Sequence, residues 1–217
     1  MTASSQPDGD ARPSPRRQYR SPRRVHQAGE TRTAILAAAT RLFTANGWTA
    51  TGMRDIASEA GVATETVYSH FASKTVLLQR VMDVAVGGDE APLAVVDRPE
   101  FTAMGDGTRG ERVAAAARVT TEIHSRTAGL AKVLREAAAT DDAIAEMLAA
   151  TRERQRLDVE EGAALVMGRR PVAAERDALW ALLSVEVYLL LVEVTGWSLQ
   201  AYEAWVAETL DLVVPRT

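Results

Sequence analysis

Four side chains that can form hydrogen bonds crowd one side of a seven-residue segment, TETVYSH, at residues 64–70. In a helix, residues four apart share a face, so this side would present Glu65, Thr66, Ser69 and His70. Val67 and Phe71 lie on the opposite side and Tyr68 flanks the polar one. Hydroxyl, phenol and imidazole groups donate hydrogen bonds to phosphate oxygens and base edges. The segment is therefore suited to contact nucleic acid.

The elements before this segment could position it. An apolar face precedes it at helical spacing, formed by Met53, Ile56, Ala57 and Ala60. We expect Thr51 to be the N-cap of that helix and Gly61 to form the turn after it. An apolar-faced helix, a glycine turn and a short second helix are the parts of a helix-turn-helix that reads the major groove of DNA.

Two further helices would complete the N-terminal bundle. The first is predicted from residue 31 to Gly47, with the core stripe Ile35, Leu36, Ala39, Leu42 and Phe43. The fourth follows an N-cap at Ser73 and carries Val76, Leu77, Leu78, Val81 and Met82. Arg54 and Lys74 would lie in the first turns of helices, where the macrodipole disfavours cations. A phosphate bound at those N-termini would reverse that cost.

Charge is unevenly distributed along the chain, and the N-terminal segment is basic. The net charge is −4 over 217 residues, but residues 1–29 hold six arginines and two aspartates. These residues are rich in Pro, Ser and Gln, and we expect a disordered basic arm, which either contacts DNA or only aids solubility. The absence of cysteine excludes disulfides and thiolate zinc sites. Without an apolar run behind its arginines the arm is not a secretory signal, so a cytoplasmic protein is expected.

The rest of the chain also has helical periodicity, so the fold class is all-α. We predict domains at 30–73, for DNA binding, and 74–217, for ligand binding and dimerisation. A connection of about twenty residues follows Gly87 and Gly88. Beyond it, helices are expected at 111–126, 129–139, 141–166 with Thr140 as cap, 175–195, and after Ser198 as cap.

The two C-terminal helices are predicted to form a homodimer. Residues 178–195 are apolar around nearly the whole circumference, so a second copy could cover the side that the chain leaves open. The last helix adds the stripe Leu199, Tyr202, Trp205, Val206, Leu210 and Val213. Glu186 and Glu193 argue against a membrane span.

A ligand pocket between these helices is indicated more weakly. Its candidate lining residues are adaptable or amphipathic: Phe101, Met104, His124, Met147, Met167, Trp180 and Tyr188. Most of them would also suit a plain core, and only an apolar or aromatic ligand body is expected. No cofactor or metal is predicted.

Residues 31–78 resemble the DNA-binding domain of the TetR family of transcriptional regulators nearly end to end. The resemblance is carried by LFTANGW, TGMRDIASEAGV and TVYSHFASK. It implies a homodimer that binds a palindromic operator in double-stranded DNA and is released by a small molecule, most simply a repressor. The residues it assigns to DNA contact are Thr51, Arg54, Thr64, Glu65, Thr66, Tyr68, Ser69, His70 and Lys74.

The chain departs from the common family pattern at the start of the third helix. Ala63 stands where a capping Ser or Thr is usual, and Thr64 and Glu65 replace a frequent basic residue and Gly. This leaves the operator sequence open. Glu65 could accept a hydrogen bond from a cytosine amine or face water.

Other classes of function stay open at this point. A helical dimer could act as an activator or a protein-interaction module. An all-helical enzyme could use His124 or His70 as a base, although no G-x-S-x-G or H-E-x-x-H motif supports one.

Overall fold

The computed structural model describes residues 22–214, and the side chains from residue 26 onward. In this range the fold is all-α. The helices are α1 Pro22–Asn46, α2 Met53–Glu59, α3 Thr64–His70, α4 Lys74–Gly87, α5 Pro99–Thr102, α6 Arg109–Ala138, α7 Asp142–Met167, α8 Ala173–Leu182, α9 Val185–Tyr188 and α10 Leu199–Val213. None of these helices is long and apolar enough to cross a membrane.

The first helix begins earlier than expected. Residues 22–29 were assigned to a disordered arm, but they form the first turns of α1. Pro22 opens the helix, where a missing N–H costs nothing, and the following Arg, His, Gln and Ala residues tolerate helix well. The remainder of the predicted arm, residues 1–21, lies outside the described residues.

Two predicted N-caps are shifted by one residue. The cap of α2 is Gly52, not Thr51, and the carboxylate of Asp55 accepts from the Gly52 amide at 2.8 Å. The cap of α7 is Asp141, not Thr140, and its carboxylate accepts from the Ile144 amide at 3.2 Å. With Thr51 as cap, Arg54 would have stood three residues later, where a capping box has an acidic residue. With Gly52 as cap, Asp55 stands at that position.

The caps of two other helices are confirmed. The Ser73 hydroxyl accepts from the amide of Val76 at the start of α4, and the Ser198 hydroxyl accepts from the amide of Ala201 at the start of α10. Gly47 ends α1 with a positive φ of 76°.

α6 is one continuous helix of 30 residues, so the two helices predicted at 111–126 and 129–139 are wrong. Gly129 lies inside it and permits a close crossing with α1. A Cβ at Gly129 would lie only 2.9 Å from the Thr44 Cγ2. The glycine therefore serves helix packing rather than ending a helix.

The single helix predicted over 175–195 is interrupted. α8 ends at Leu182, and a new helix begins at Val185 and continues as a π-helix over Leu189–Val194. At this break the Leu183 side chain packs against the second core. The connection between α4 and α6 contains the expected short turns, among them α5, and buries Phe101 and Met104.

Two hydrophobic cores share α6. The first core is formed by α1–α4 with one end of α6, including Leu130, Val133 and Leu134. The second core is formed by the other part of α6 with α5, α7, α8 and α10. The first core contains residues from both sides of the predicted boundary at residue 73, because α4 and α6 pack against α1–α3. The domain limits 30–73 and 74–217 therefore stay predictions.

Candidate DNA-binding surface and ligand cavity

The outer side of α3 is open to solvent. Glu65, Tyr68 and Ser69 are exposed, with Tyr68 52% exposed. Thr64, Thr66 and His70 are half-buried on the same helix, whereas Val67 is fully buried. The Ser69 hydroxyl donates to the Thr66 carbonyl at 2.7 Å. The predicted polar face therefore exists as a surface that a partner could reach.

Arg54 lies beside this face, in the first turn of α2. Its side chain is exposed and makes no ion pair with any residue that the structure describes. Its neighbour Asp55 is occupied by the α2 cap. The Arg54 guanidinium is therefore free to bind an anion at this helix end.

Thr51 has a different place from the one predicted. Its side chain is only 1% exposed, and its hydroxyl lies within hydrogen-bond distance of the carbonyls of Gly47 (2.8 Å) and Leu42 (3.1 Å). The side chain thus holds the α1–α2 loop closed. Burial assigns it a structural role and removes it from the surface that could meet a duplex.

Lys74 also holds this loop. Its Nζ donates to the Trp48 carbonyl at 2.9 Å and the Thr51 carbonyl at 3.1 Å, and lies 3.9 Å from the centre of the Trp48 ring. Burial lowers the pKa of Lys74, although Asp141 opposes the shift. An ammonium has three donors, so one remains for a phosphate.

The other end of α4 is tied to α6 and, through the following loop, to α1. The Arg126 guanidinium of α6 donates to the carbonyls of Ala85 (2.8 Å) and Val86 (3.1 Å). Glu90 accepts from Arg32 of α1 at 3.1 Å, and the Arg32 guanidinium lies 4.8 Å from the centre of the Phe71 ring. Phe71 directly follows α3, so this chain of contacts reaches the C-terminal end of that helix on its buried side.

A cavity of about 140 Å³ lies in the second core, between α6, α7 and α8. Of the predicted lining residues, Phe101, Met104, His124 and Trp180 line it. Three other predicted residues are not part of the lining of this cavity. Met147 packs against the first core, while Met167 and Tyr188 are buried in the second core without reaching the cavity wall.

His124 is the centre of an aromatic cluster beside the cavity. Its Nδ1 lies 2.9 Å from the Tyr202 hydroxyl, and its ring meets the Tyr188 ring edge-on at 5.8 Å. Burial lowers the pKa of His124 to about 4, and hydrogen bonding to the Leu183 backbone offsets only part of that shift. The imidazole is therefore neutral at physiological pH and links α6, α10 and the break after α8.

Asp158 on α7 is a cavity residue that the sequence reasoning missed. It is half-buried, and it makes no hydrogen bond or ion pair with any described residue. Burial raises its pKa to about 6, with Arg154 acting in the opposite direction. Helical spacing could have identified it, because Asp158 lies on the same face of α7 as the wall residues Gln155, Val159, Gly162, Ala163 and Val166.

The predicted dimerisation stripe of α10 is only partly available. Tyr202, Val206 and Leu210 are buried inside the chain because α10 packs against α6. Other apolar side chains of the predicted dimer surface, Leu190, Val194 and Leu199, are exposed, together with Trp197 and Leu212. Val194 is 74% and Leu212 83% exposed, so this surface is much more apolar than a solvated face requires.

Within residues 22–214, no group of three or more His, Asp or Glu residues is arranged to hold a metal ion. Several acids and arginines of α7, α8 and the connection between them form ion pairs. Arg170 donates to Glu160 and Glu161, each at 3.0 Å, and Arg156 donates to Asp177 at 3.1 Å.

An amphipathic helix, a glycine turn and an exposed polar helix on a three-helix core define the class of protein: a helix-turn-helix DNA-binding regulator. Residues 35–81 match the family model described as "Bacterial regulatory proteins, tetR family". No curated protein matches the chain. Residues 35–81 are therefore a DNA-binding domain of the TetR type.

Solved structures share the fold across most of the chain. A TetR-family regulator from Mesorhizobium loti is 19% identical, with a TM-score of 0.65 over 86% of this chain and 96% of that one. One from Rhodococcus sp. is 18% identical, with a TM-score of 0.64 over 86% and 100%. A TerR/AcrR-family regulator from Aquifex aeolicus is 16% identical, with a TM-score of 0.62 over 84% and 99%. At these identities the likeness concerns the fold alone.

Proposed function

We propose that the protein is a ligand-responsive transcriptional repressor, without enzymatic activity, that acts on DNA in the cytoplasm. It binds a palindromic operator through α2 and α3 and leaves it when a small molecule enters the second core. The observation that carries this proposal is that one chain has both a solvent-exposed polar face on α3 and a cavity in its second core.

On the DNA side, we assign direct contacts to Arg54, Tyr68 and the outer residues of α3. The remaining predicted contacts, Thr64, Glu65, Thr66, Ser69 and His70, share that outer side. Lys74 would offer its one unused donor to a phosphate. The side chain of Thr51 is not included, because its hydroxyl is used inside the α1–α2 loop.

The response to ligand would pass through α4. Val86, at its C-terminal end, lines the cavity and is held by Arg126. Lys74, at its N-terminal end, holds the loop before α2. A ligand that moves Val86 would therefore tilt a helix whose other end fixes the helix-turn-helix. A ligand shifts the equilibrium between two orientations of α4 only if it binds the chain in those orientations with different affinity.

A homodimer would set the distance between two recognition helices. The exposed apolar side chains Leu190, Val194 and Leu212 support an interface built on the π-helical segment and α10. Burying each such side chain is worth about 1.5 to 3 kcal/mol. Two-fold symmetry would place the α3 helices in successive major grooves, about 34 to 36 Å apart.

The test is selection of bound duplexes from a random pool, followed by affinity measurements on the selected sequence. We expect a palindrome, bound by a dimer. Arg54→Ala should weaken binding by about 1 to 3 kcal/mol if that arginine contacts a base or phosphate. Arg156→Ala is the matched control, because Arg156 is ion-paired on the α7–α8 side, and it should leave affinity unchanged.

Two results would contradict the proposal. One is equal retention of random and selected duplexes at low ionic strength, which would favour a protein-interaction module. The other is an equal effect of Arg54→Ala and Arg156→Ala, which would remove α2 from the DNA-binding surface.

A further inference from the structure

We infer that the cavity takes a small organic cation, with about one aromatic ring and one protonated amine, and that Asp158 is its counter-ion. This inference rests on the proposed function and names the ligand class for it. Arg154, one helical turn from Asp158 on α7, acts on the Asp158 carboxyl only through space, and its side chain is exposed.

The cavity wall includes the uncharged polar side chains Thr120, Gln155 and Ser184, which could form hydrogen bonds with a ligand but carry no charge. Most of its lining is aliphatic or aromatic. The Thr127 hydroxyl already donates to the Ile123 carbonyl at 2.8 Å, and His124 is engaged with Tyr202. Among the ionisable groups of the wall, only Asp158 has no partner among the described residues. The orienting charge in this cavity is therefore negative.

An unpaired, half-buried carboxylate is costly unless a cation compensates it. A ligand amine would supply that charge and form a charge-assisted hydrogen bond. A carboxylate or phosphate ligand would instead meet a like charge. Trp180 lies in the same wall, and an indole face attracts cations further. The apolar remainder of the lining suits the hydrocarbon body of the ligand.

The size of the cavity limits that body. At about 140 Å³, it is similar to cavities of roughly 150 Å³ that admit benzene. Gly162 contributes to this space, because a Cβ there would lie 3.3 Å from both Phe101 Cζ and Met104 Cε. A single ring with a short substituent therefore fits better than a fused polycyclic body.

The experiment compares two probes of nearly equal shape, benzylammonium and benzyl alcohol, in a titration followed by NMR at the Trp180 indole. We expect benzylammonium to bind at least tenfold more tightly at pH 7.5. Asp158→Asn should remove that preference, reducing benzylammonium affinity at least tenfold and leaving benzyl alcohol within twofold. Glu146→Gln is the control, since it removes an exposed negative charge from the same helix outside the cavity.

Equal affinity for both probes, no saturable binding of benzylammonium, or equal losses in both variants would overturn the inference. A parallel measurement of operator binding separates it from the proposed function. If benzylammonium binds through Asp158 without weakening operator binding, the ligand class holds and regulation by ligand fails. If benzyl alcohol alone binds and releases the operator, regulation holds and the cation fails.

Discussion

The two hydrophobic cores are built from similar helices but differ in what they enclose. In the first core, under the helix-turn-helix, apolar side chains cluster tightly and hold α3 through Val67 and Phe71, while the buried Thr51 hydroxyl is hydrogen-bonded to main-chain carbonyls. The second core surrounds a cavity and has the titratable side chains His124, Asp158 and Tyr202 in or beside it. The close-packed first core and the second core with its cavity thus share one helix, α6.

Removing one phenylalanine from each core should show the largest difference. Phe43 is fully buried in the first core, and Phe101 is 6% exposed at the cavity wall. Phe43→Ala should cost about 3 to 5 kcal/mol of unfolding free energy, because close-packed surroundings cannot collapse onto the void. Phe101→Ala should cost about 1 to 3 kcal/mol less, because Met104 and neighbouring side chains can move into space that already adjoins a cavity.

Urea denaturation at 25 °C measures both values. Phe101→Ala should also admit ligands larger than one ring, whereas Phe43→Ala should not change ligand size. If Phe101→Ala proved as costly as Phe43→Ala, the second core would be as rigid as the first and the comparison would fail.

The titratable groups of the second core should give the next largest effect. The pKa of His124 is about 4 in the folded chain and ordinarily about 6.5, so between those values only the unfolded chain takes up the proton. Stability from His124 is therefore present above pH 6.5 and falls, by at most about 3 kcal/mol, as the pH decreases to 4. Asp158 acts in the opposite direction, since its raised pKa of about 6 lets the folded chain take up a proton first.

These two slopes partly cancel in the unaltered chain. Asp158→Asn should expose the His124 contribution as a steeper loss of unfolding free energy between pH 7 and pH 4.5. Glu146→Gln serves as the control and should keep the slope of the unaltered chain. Identical slopes in Asp158→Asn and the unaltered chain would show that the Asp158 carboxyl titrates normally.

The smallest effect is expected outside both cores. Arg170 bridges α7 to the α7–α8 connection by ion pairs with Glu160 and Glu161, but its side chain is 68% exposed. Exposed pairs contribute about 0 to 1 kcal/mol, so Arg170→Ala should change the unfolding free energy by less than either substitution in a core. A thermal denaturation midpoint measured in low and high salt would check this, because screening should reduce the effect further.

Sequence reasoning was accurate where the pattern is local. The inward Val67 and the outward Tyr68 follow from helical spacing alone, and the caps Ser73 and Ser198 follow from residue type. It erred where distant contacts decide. Thr51 is not the N-cap of α2, because its hydroxyl is hydrogen-bonded to the carbonyls of Leu42 in α1 and Gly47 in the following loop.

Long-range packing also determines the helix boundaries and the buried residues of the C-terminal half. Nothing local shows that Gly129 lies at a helix crossing, or that α8 stops at Leu182. The inward position of Asp158 could have been read from its stripe, but a lone acid on an apolar face is easily assigned to solvent. The burial of Tyr202, Val206 and Leu210 depends on α6 being long enough to meet α10.

The attachment of α4 at both ends has a practical consequence for biosensor engineering. Lys74 at one end and Arg126 at the other act through hydrogen bonds to main-chain carbonyls, without filling either core. Under the proposed function, single replacements at these two positions would tune the sensitivity and dynamic range of a reporter while the fold and the cavity stay intact. New inducers and new output strengths could then be selected in separate libraries and combined afterwards.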